Sequence, residues 1–194
     1  NSLQIIKKIN LGHPEIKFLY KFEENLTHVY KKENFDNEGF KYRILEVFQD
    51  DFFSNSLLVE NKIQSDLGDI KLRGFISIPS YNKVNQSYQF LFVNGRPVQD
   101  RGLSAVIRLS YRDNLPRGRH PLYCLMLDLS NDQIDVNVHP TKLEVKFQNY
   151  EFLKSFVINS ITKALQIKNN KKISKTFNIS EISDNIPSHK SELE

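Results

Sequence analysis

Lys142 sits where a cation could be held still. Ahead of it, Ile134, Val136 and Val138 alternate with Asp135, Asn137 and His139, the period-two pattern of a half-buried strand. Pro140 cannot donate to a sheet ladder and fixes its own φ, so the strand stops or turns there. Alternation then resumes, with Leu143, Val145 and Phe147 on one face and Glu144 and Lys146 on the other. Lys142 has the parity of the polar face and lies beside the bend. Read from the residues alone, it is either a positioned cation or an ordinary solvated lysine. Asn137 and His139 share its face. They orient the loop by hydrogen bonds, or His139 acts as a general base; a lone histidine without a nearby nucleophile favours the first reading.

The arginines form a second group. Six of the eight (Arg96, Arg101, Arg108, Arg112, Arg117, Arg119) fall between positions 96 and 119. Asp100 to Arg112 reads as a helix capped by Asp100, with Leu103, Val106, Ile107 and Tyr111 as its buried stripe. At about 100° per residue, Arg101, Arg108 and Arg112 lie within roughly 40° of one another on the opposite side. Such a ridge is either a solvated helix face or a line of cations for phosphates, whose contacts each displace counterions and sum. Nothing in it suits base readout, so sequence-independent binding is expected. Just upstream, Asn94 and Gly95 supply the φ > 0 positions of a tight hairpin. Arg96, directly after that turn, contacts a phosphate or pins the turn against a carboxylate, with the structural role favoured.

The elements that must carry these residues can be followed along the chain. Ser2 caps a helix bearing Leu3, Ile5, Ile6 and Ile9, ended by Gly12 and Pro14. Ile16 to Glu23 and Leu26 to Lys32 read as a strand pair, and Phe40 to Phe48 as a helix. Ser56 to Lys62 and Ile70 to Ile78 are strands about Asp66–Asp69. Pro79 to Gln86 is loop, and Tyr88 to Val93 a further strand. Leu115 to His120 is loop. Leu122 to Leu129 is almost wholly apolar, the mark of a strand covered on both faces. A helix follows from Phe152 to about Leu165. From Gln166 onward Lys, Asn and Ser dominate, and this composition predicts a disordered linker. The organisation expected is thus a connecting segment over 1–86, a core carrying both residue groups over 87–165, and a linker over 166–194.

Composition excludes more than it assigns. The 194 residues are 39% hydrophobic with 14 Phe and 8 Tyr, enough for a sizeable core. The single cysteine, Cys124, can form no intramolecular disulfide and gives no metal site by spacing, which fits a reducing compartment. No apolar run approaches membrane-spanning length and no signal-peptide pattern opens the chain. No GxxxxGKS/T loop, HExxH or CxxC pair is present. The net charge of +4 is a mild basic excess. The richness in Lys, Asn and Ile points to an AT-rich, bacterial genome.

The run Asp135 to Phe147 resembles the VNVHPxKxEVxF signature of MutL-type DNA mismatch repair proteins. Phe92-Val93-Asn94-Gly95-Arg96-Pro97-Val98 is similar to their FVNGRxV segment. The resemblance covers roughly Ser2 to Leu165 and corresponds to the transducer domain of their conserved N-terminal region. It implies an α+β fold: a mixed, largely antiparallel sheet with helices mainly on one face, like domain two of ribosomal protein S-five. It implies that Lys142 contacts the ATP γ-phosphate in a neighbouring GHKL ATPase module, and that Arg101 matches an arginine implicated in DNA binding. The parent would use ATP and Mg, dimerise when ATP is bound, and work with a mismatch-recognition protein of the MutS type in the bacterial cytoplasm at the nucleoid. Because the motifs of the ATPase module are absent here, this chain alone would neither bind ATP tightly nor hydrolyse it, and no cofactor or metal is expected in it; the endonuclease motif of some relatives is likewise missing. Position 1 is Asn, so the sequence reads as a processed chain or a fragment, and the resemblance implies the fragment. A gyrase-B-like transducer, a stand-alone nucleic-acid-binding module and a protein-interaction domain stay open. VNVHPxK points away from the first, and the bend lysine is unexplained by the second.

Overall fold

A computed structural model describes residues 2–22, 26–31, 37–48, 50–64, 68–130, 134–135 and 146–180. At its centre lies strand β9 (Tyr123–Leu129). Its near-continuous apolar run follows from its position. On one side Tyr123, Leu125, Leu127 and Leu129 enter one hydrophobic cluster. On the other, Cys124 and Met126 enter a second. The sheet runs β3 (Ser56–Ile63), β4 (Ile70–Ser77), β9, β6 (Gln89–Val93), β7 (Arg96–Val98). Only β6–β9 is parallel; the other three pairings are antiparallel. This is the mixed, mostly antiparallel α+β sheet expected. It draws two of its five strands from before residue 87, so the sheet spans both sides of that position.

Gly74 fixes how closely two central strands approach. Its φ is +139°, and a Cβ placed there would lie 2.1 Å from the Cys124 carbonyl oxygen. Only glycine supplies both that backbone conformation and that clearance.

Helices α4 (Arg101–Tyr111) and α5 (Tyr150–Ser180) cover one face. Leu103, Val106, Ile107 and Tyr111 of α4 are buried there with Leu153, Phe156, Val157 and Ile161 of α5. The stripe read from helical spacing is therefore the core stripe. The Tyr111 hydroxyl donates to the Ser77 carbonyl at 2.7 Å, anchoring the end of α4 to β4. Helix α5 runs on to Ser180, beyond the stop near Leu165 that composition suggests. No Gly or Pro interrupts residues 150–180, and Lys is a good helix former, so nothing local ends the helix. The remainder of the expected linker, 181–194, lies outside the described residues.

The other face carries the N-terminal layer: α1 (Ser2–Gly12), the hairpin β1 (Phe18–Phe22) with β2 (Leu26–Tyr30), α2 (Asn37–Phe48) and a short helix α3 (Asp50–Ser54). Leu11, Tyr30, Phe40, Ile44, Phe48 and Phe52 pack there on Phe90, Phe92 and Met126. Each such side chain contributes about 1.5–3 kcal/mol by leaving water. The layer is pinned by a wholly buried arginine. Arg43 donates to Asn10 Oδ1 at 3.0 Å, to the carbonyls of Pro14 and Ile16 at 2.8 and 2.9 Å, and to that of Lys31. One guanidinium thus ties α1, the segment leading into β1, the end of β2 and α2 together.

Candidate nucleic-acid interface

Asp100 starts α4 as expected: its Oδ1 accepts from the Leu103 amide at 2.7 Å. Beside the core stripe the helix has another face. Arg101, Ser104, Ala105 and Arg108, at i, i+3, i+4 and i+7, line one wall of a groove of about 710 Å³. Gln89 and Leu91 of β6, Gln99 and Tyr123 form its floor. Gln86 and His120 stand opposite. His120 belongs to a small strap in which β5 (Asn82–Lys83) pairs antiparallel with β8 (His120–Pro121). Two small residues between two arginines are what opens the groove.

The strap is held by the helix. Arg108 Nη1 donates to the Arg119 carbonyl at 2.6 Å and lies 3.2 Å from His120 Nδ1. Gln86 Nε2 also approaches Nδ1, at 3.4 Å. Two groups that only donate face the same ring nitrogen, so Nδ1 carries the lone pair and the ring is neutral, with its proton on Nε2. Burial, and secondarily the Arg108 charge, hold the His120 pKa below its usual value, in agreement with that assignment. Gln89 Nε2 donates to the Pro121 carbonyl at 3.0 Å and fixes the strap from the floor. Tyr123 is buried at the bottom, its pKa pushed up to about 12 by burial against a hydrogen bond from Ser104 that acts the other way.

The arginine ridge is thus reorganised. Arg101 is exposed at the mouth of the groove. Arg108 is half-buried and engaged with the strap instead of facing freely outward. Arg112 leaves the line altogether: α4 ends at Tyr111, and Arg112 caps it with φ 43° and enters a 3-10 turn over Arg112–Asn114. Helical phase could not carry to a residue outside the helix. Arg96 is exposed and forms no ion pair among the described residues.

Asn94 and Gly95 have φ of 48° and 77°, the two left-handed positions of a two-residue hairpin closing Val93 on Arg96. Asn94 does more. Its Nδ2 donates to the Leu129 carbonyl at 2.9 Å and its Oδ1 accepts from the Leu129 amide at 2.8 Å. The carboxamide takes the place of a peptide group and lengthens the parallel β6–β9 ladder. Ile134–Asp135 (β10) and Lys146–Phe147 (β11), at the two ends of the second motif, pair antiparallel. Asn137, His139, Pro140 and Lys142 lie between them, outside the described residues.

The family model described as DNA mismatch repair protein, C-terminal domain, matches residues 44–166, well over half of the chain. The chain belongs to this mismatch repair family. DNA mismatch repair protein MutL of Rickettsia felis is 38% identical over 168 residues, 86% of this chain and 27% of that protein. The MutL proteins of Rickettsia canadensis and Rickettsia prowazekii are 40% and 38% identical over 169 residues each. The chain therefore spans little more than a quarter of the length of these relatives. A solved crystal structure of the N-terminal domain of a DNA repair protein shares the fold, with a TM-score of 0.68 at 21% identity over 86% of this chain and 53% of that one. The resemblance read from the two motifs is thus carried by the chain at large.

The single carboxylate of the groove, Asp100, caps the helix. No group of three His, Cys, Asp or Glu among the described residues could hold a metal ion. No described helix is long and apolar enough to cross a membrane. Sequence reasoning missed His120, Gln86 and Gln89. The Arg-x-x-Ser-Ala-x-x-Arg spacing on α4 was available to it, but the strap that completes the groove is a two-residue pairing with no periodic signal.

Proposed function

We propose that this chain is the DNA-gripping part of a mismatch repair protein in which ATP binding elsewhere in the polypeptide is coupled to dimerisation and sequence-independent DNA binding. The observation that supports DNA binding is the placement of Arg101 and Arg108 along one groove whose single carboxylate is already engaged as a helix cap. Phosphate contacts made by these side chains carry no sequence information and weaken steeply with salt.

On this reading, ATP and Mg belong to a part of the parent outside this chain, and Lys142 reaches the γ-phosphate there. The motif around Lys142 supports that role. The parent acts as a homodimer with a mismatch-recognition protein of the MutS type, in the bacterial cytoplasm at the nucleoid. The test is equilibrium binding of labelled DNA across a salt series, for the native chain and for Arg101→Ala. Loss of one phosphate contact lowers the slope of log affinity against log salt by about 0.9 for duplex or 0.7 for a single strand. An unchanged slope and affinity in Arg101→Ala would remove the DNA reading. For Lys142, ATP turnover of the parent should fall sharply in Lys142→Ala with its DNA affinity in the absence of nucleotide unchanged; equal turnover would detach Lys142 from the nucleotide.

A further inference from the structure

Gly102 is a glycine that its own backbone does not require. It is the second residue of α4, and its φ is not positive, unlike those of Gly74 and Gly95. Glycine inside a helix is destabilising relative to alanine. The reason for it lies on α5. A Cβ at Gly102 would overlap the Tyr150 hydroxyl and lie 3.2 Å from the Tyr150 Cζ. Asp100 Oδ1, the cap of α4, is 3.1 Å from the same point. The phenol end is therefore seated on the first turn of α4, beside its cap and next to Arg101.

Tyr150 is tied as closely to the second motif. It is the first residue of α5, and Asn149 secures that turn. Asn149 Oδ1 accepts from the Phe152 amide at 3.2 Å, and its carbonyl accepts from the Leu153 amide at 3.1 Å. Only Gln148 and Asn149 separate Tyr150 from β11, so a displacement of β11 has little chain in which to dissipate. The Phe147 and Tyr150 rings lie 6.2 Å apart between centroids. Strand β11 is clasped to β10, and Lys142 falls between these two strands in the sequence. Burial first, then the Asp100 and Glu151 charges, raise the Tyr150 pKa, so the hydroxyl on Gly102 keeps its proton near neutral pH.

We propose that Tyr150 is a positioning residue: seated on Gly102, it passes movement of the β10–β11 clasp to the first turn of α4 and so sets the placement of Arg101 against DNA. This rests on the reading above, in which Lys142 meets the nucleotide and Arg101 meets DNA, and names the contact that joins them. Chains of packed side chains transmit coupling of this kind, and a substitution along one alters the coupling without touching either ligand.

The test measures DNA affinity of the full-length parent with and without a non-hydrolysable ATP analogue. In the native parent the analogue should change affinity by about fivefold or more. Tyr150→Phe removes only the hydroxyl that rests on Gly102. It should reduce the analogue's effect to under about twofold, with nucleotide-free DNA affinity and DNA-free ATP turnover at native levels. Gly102→Ala, whose methyl displaces the phenol, should do the same from the other side of the contact. Added to Arg101→Ala, Tyr150→Phe should have no further effect on the response to the analogue. A native-sized response in both single variants would overturn the proposal and spare DNA binding. Loss of nucleotide-free affinity or of turnover in both would also overturn it, because the contact would then be general support for the fold. A further loss on top of Arg101→Ala would mean that Tyr150 acts elsewhere than through Arg101. A native parent whose DNA affinity ignores the analogue would overturn the coupling reading beneath the proposal, and a silent Arg101→Ala would overturn the DNA reading itself.

Discussion

Replacing Arg43 with leucine removes a buried group that ties four segments of the N-terminal layer together. The side chain is 0% exposed. Its loss strands four acceptors: Asn10 Oδ1 and the carbonyls of Pro14, Ile16 and Lys31. It also leaves Glu46 without the cation 3.8 Å away and removes the guanidinium 5.7 Å from the Tyr30 ring centroid. Leucine recovers part of the apolar contact but satisfies none of the acceptors. Breaking a buried charge network in this way costs about 3–5 kcal/mol. Against a total stability of about 5–15 kcal/mol, that is a large fraction. With a urea slope near 2 kcal/mol per molar, the midpoint should fall by about 2 M. Equilibrium urea unfolding followed by far-ultraviolet circular dichroism measures it. A fall of under about 0.5 M would mean that water reaches the four acceptors and that Arg43 is not the staple described. Because the layer lies on the sheet face away from α4, DNA affinity in the absence of denaturant should not change.

Gly74→Ala should destabilise by about 3–5 kcal/mol, since the added methyl collides with the Cys124 carbonyl and the φ is unfavourable for alanine; urea unfolding reads this, and a native midpoint would contradict the close approach of β4 and β9. Asn94→Gly keeps the turn but loses two hydrogen bonds to Leu129 and should cost about 1–3 kcal/mol, and Asn94→Ala should cost about 1 kcal/mol more because alanine resists the left-handed φ; equal losses would mean that the carboxamide clamp alone matters. For His120, the lowered pKa favours the neutral ring in the folded state. Its contribution is complete above about pH 6.5 and is lost as pH falls below that value. Protection of the strap amides, read by hydrogen exchange corrected for pH, should therefore decline on acidification toward pH ~5, and His120→Asn should flatten the response. A strap equally protected at both pH values would refute the lone-pair assignment at Nδ1.

Long periodic signals survived the passage from sequence to structure, while isolated ones survived only where local geometry restricts the residue type. The buried stripe of α4 and the two-faced β9 were legible because burial imposes a period on the chain. The turn at Asn94-Gly95 was legible because few residue pairs accept two left-handed positions. Arg43 was not: an arginine in a helical pattern looks solvated until four acceptors from three segments converge on it. The groove was half legible. Arg101 and Arg108 follow from α4, but their common facing depends on a strap that pairs residues 82–83 with 120–121. Arg112 misled because a phase argument holds only while the helix lasts.

The most direct test of the central claim is to map where DNA touches the chain. Backbone amide shifts of the isotope-labelled protein, followed as a short DNA is titrated in, would locate it. The account predicts that the largest changes fall on Arg101, Ser104, Ala105 and Arg108, on Gln86, Gln89 and Gln99, and on His120. Changes concentrated on α1 and the β1–β2 hairpin, or along β3 and β4, with α4 silent, would contradict it.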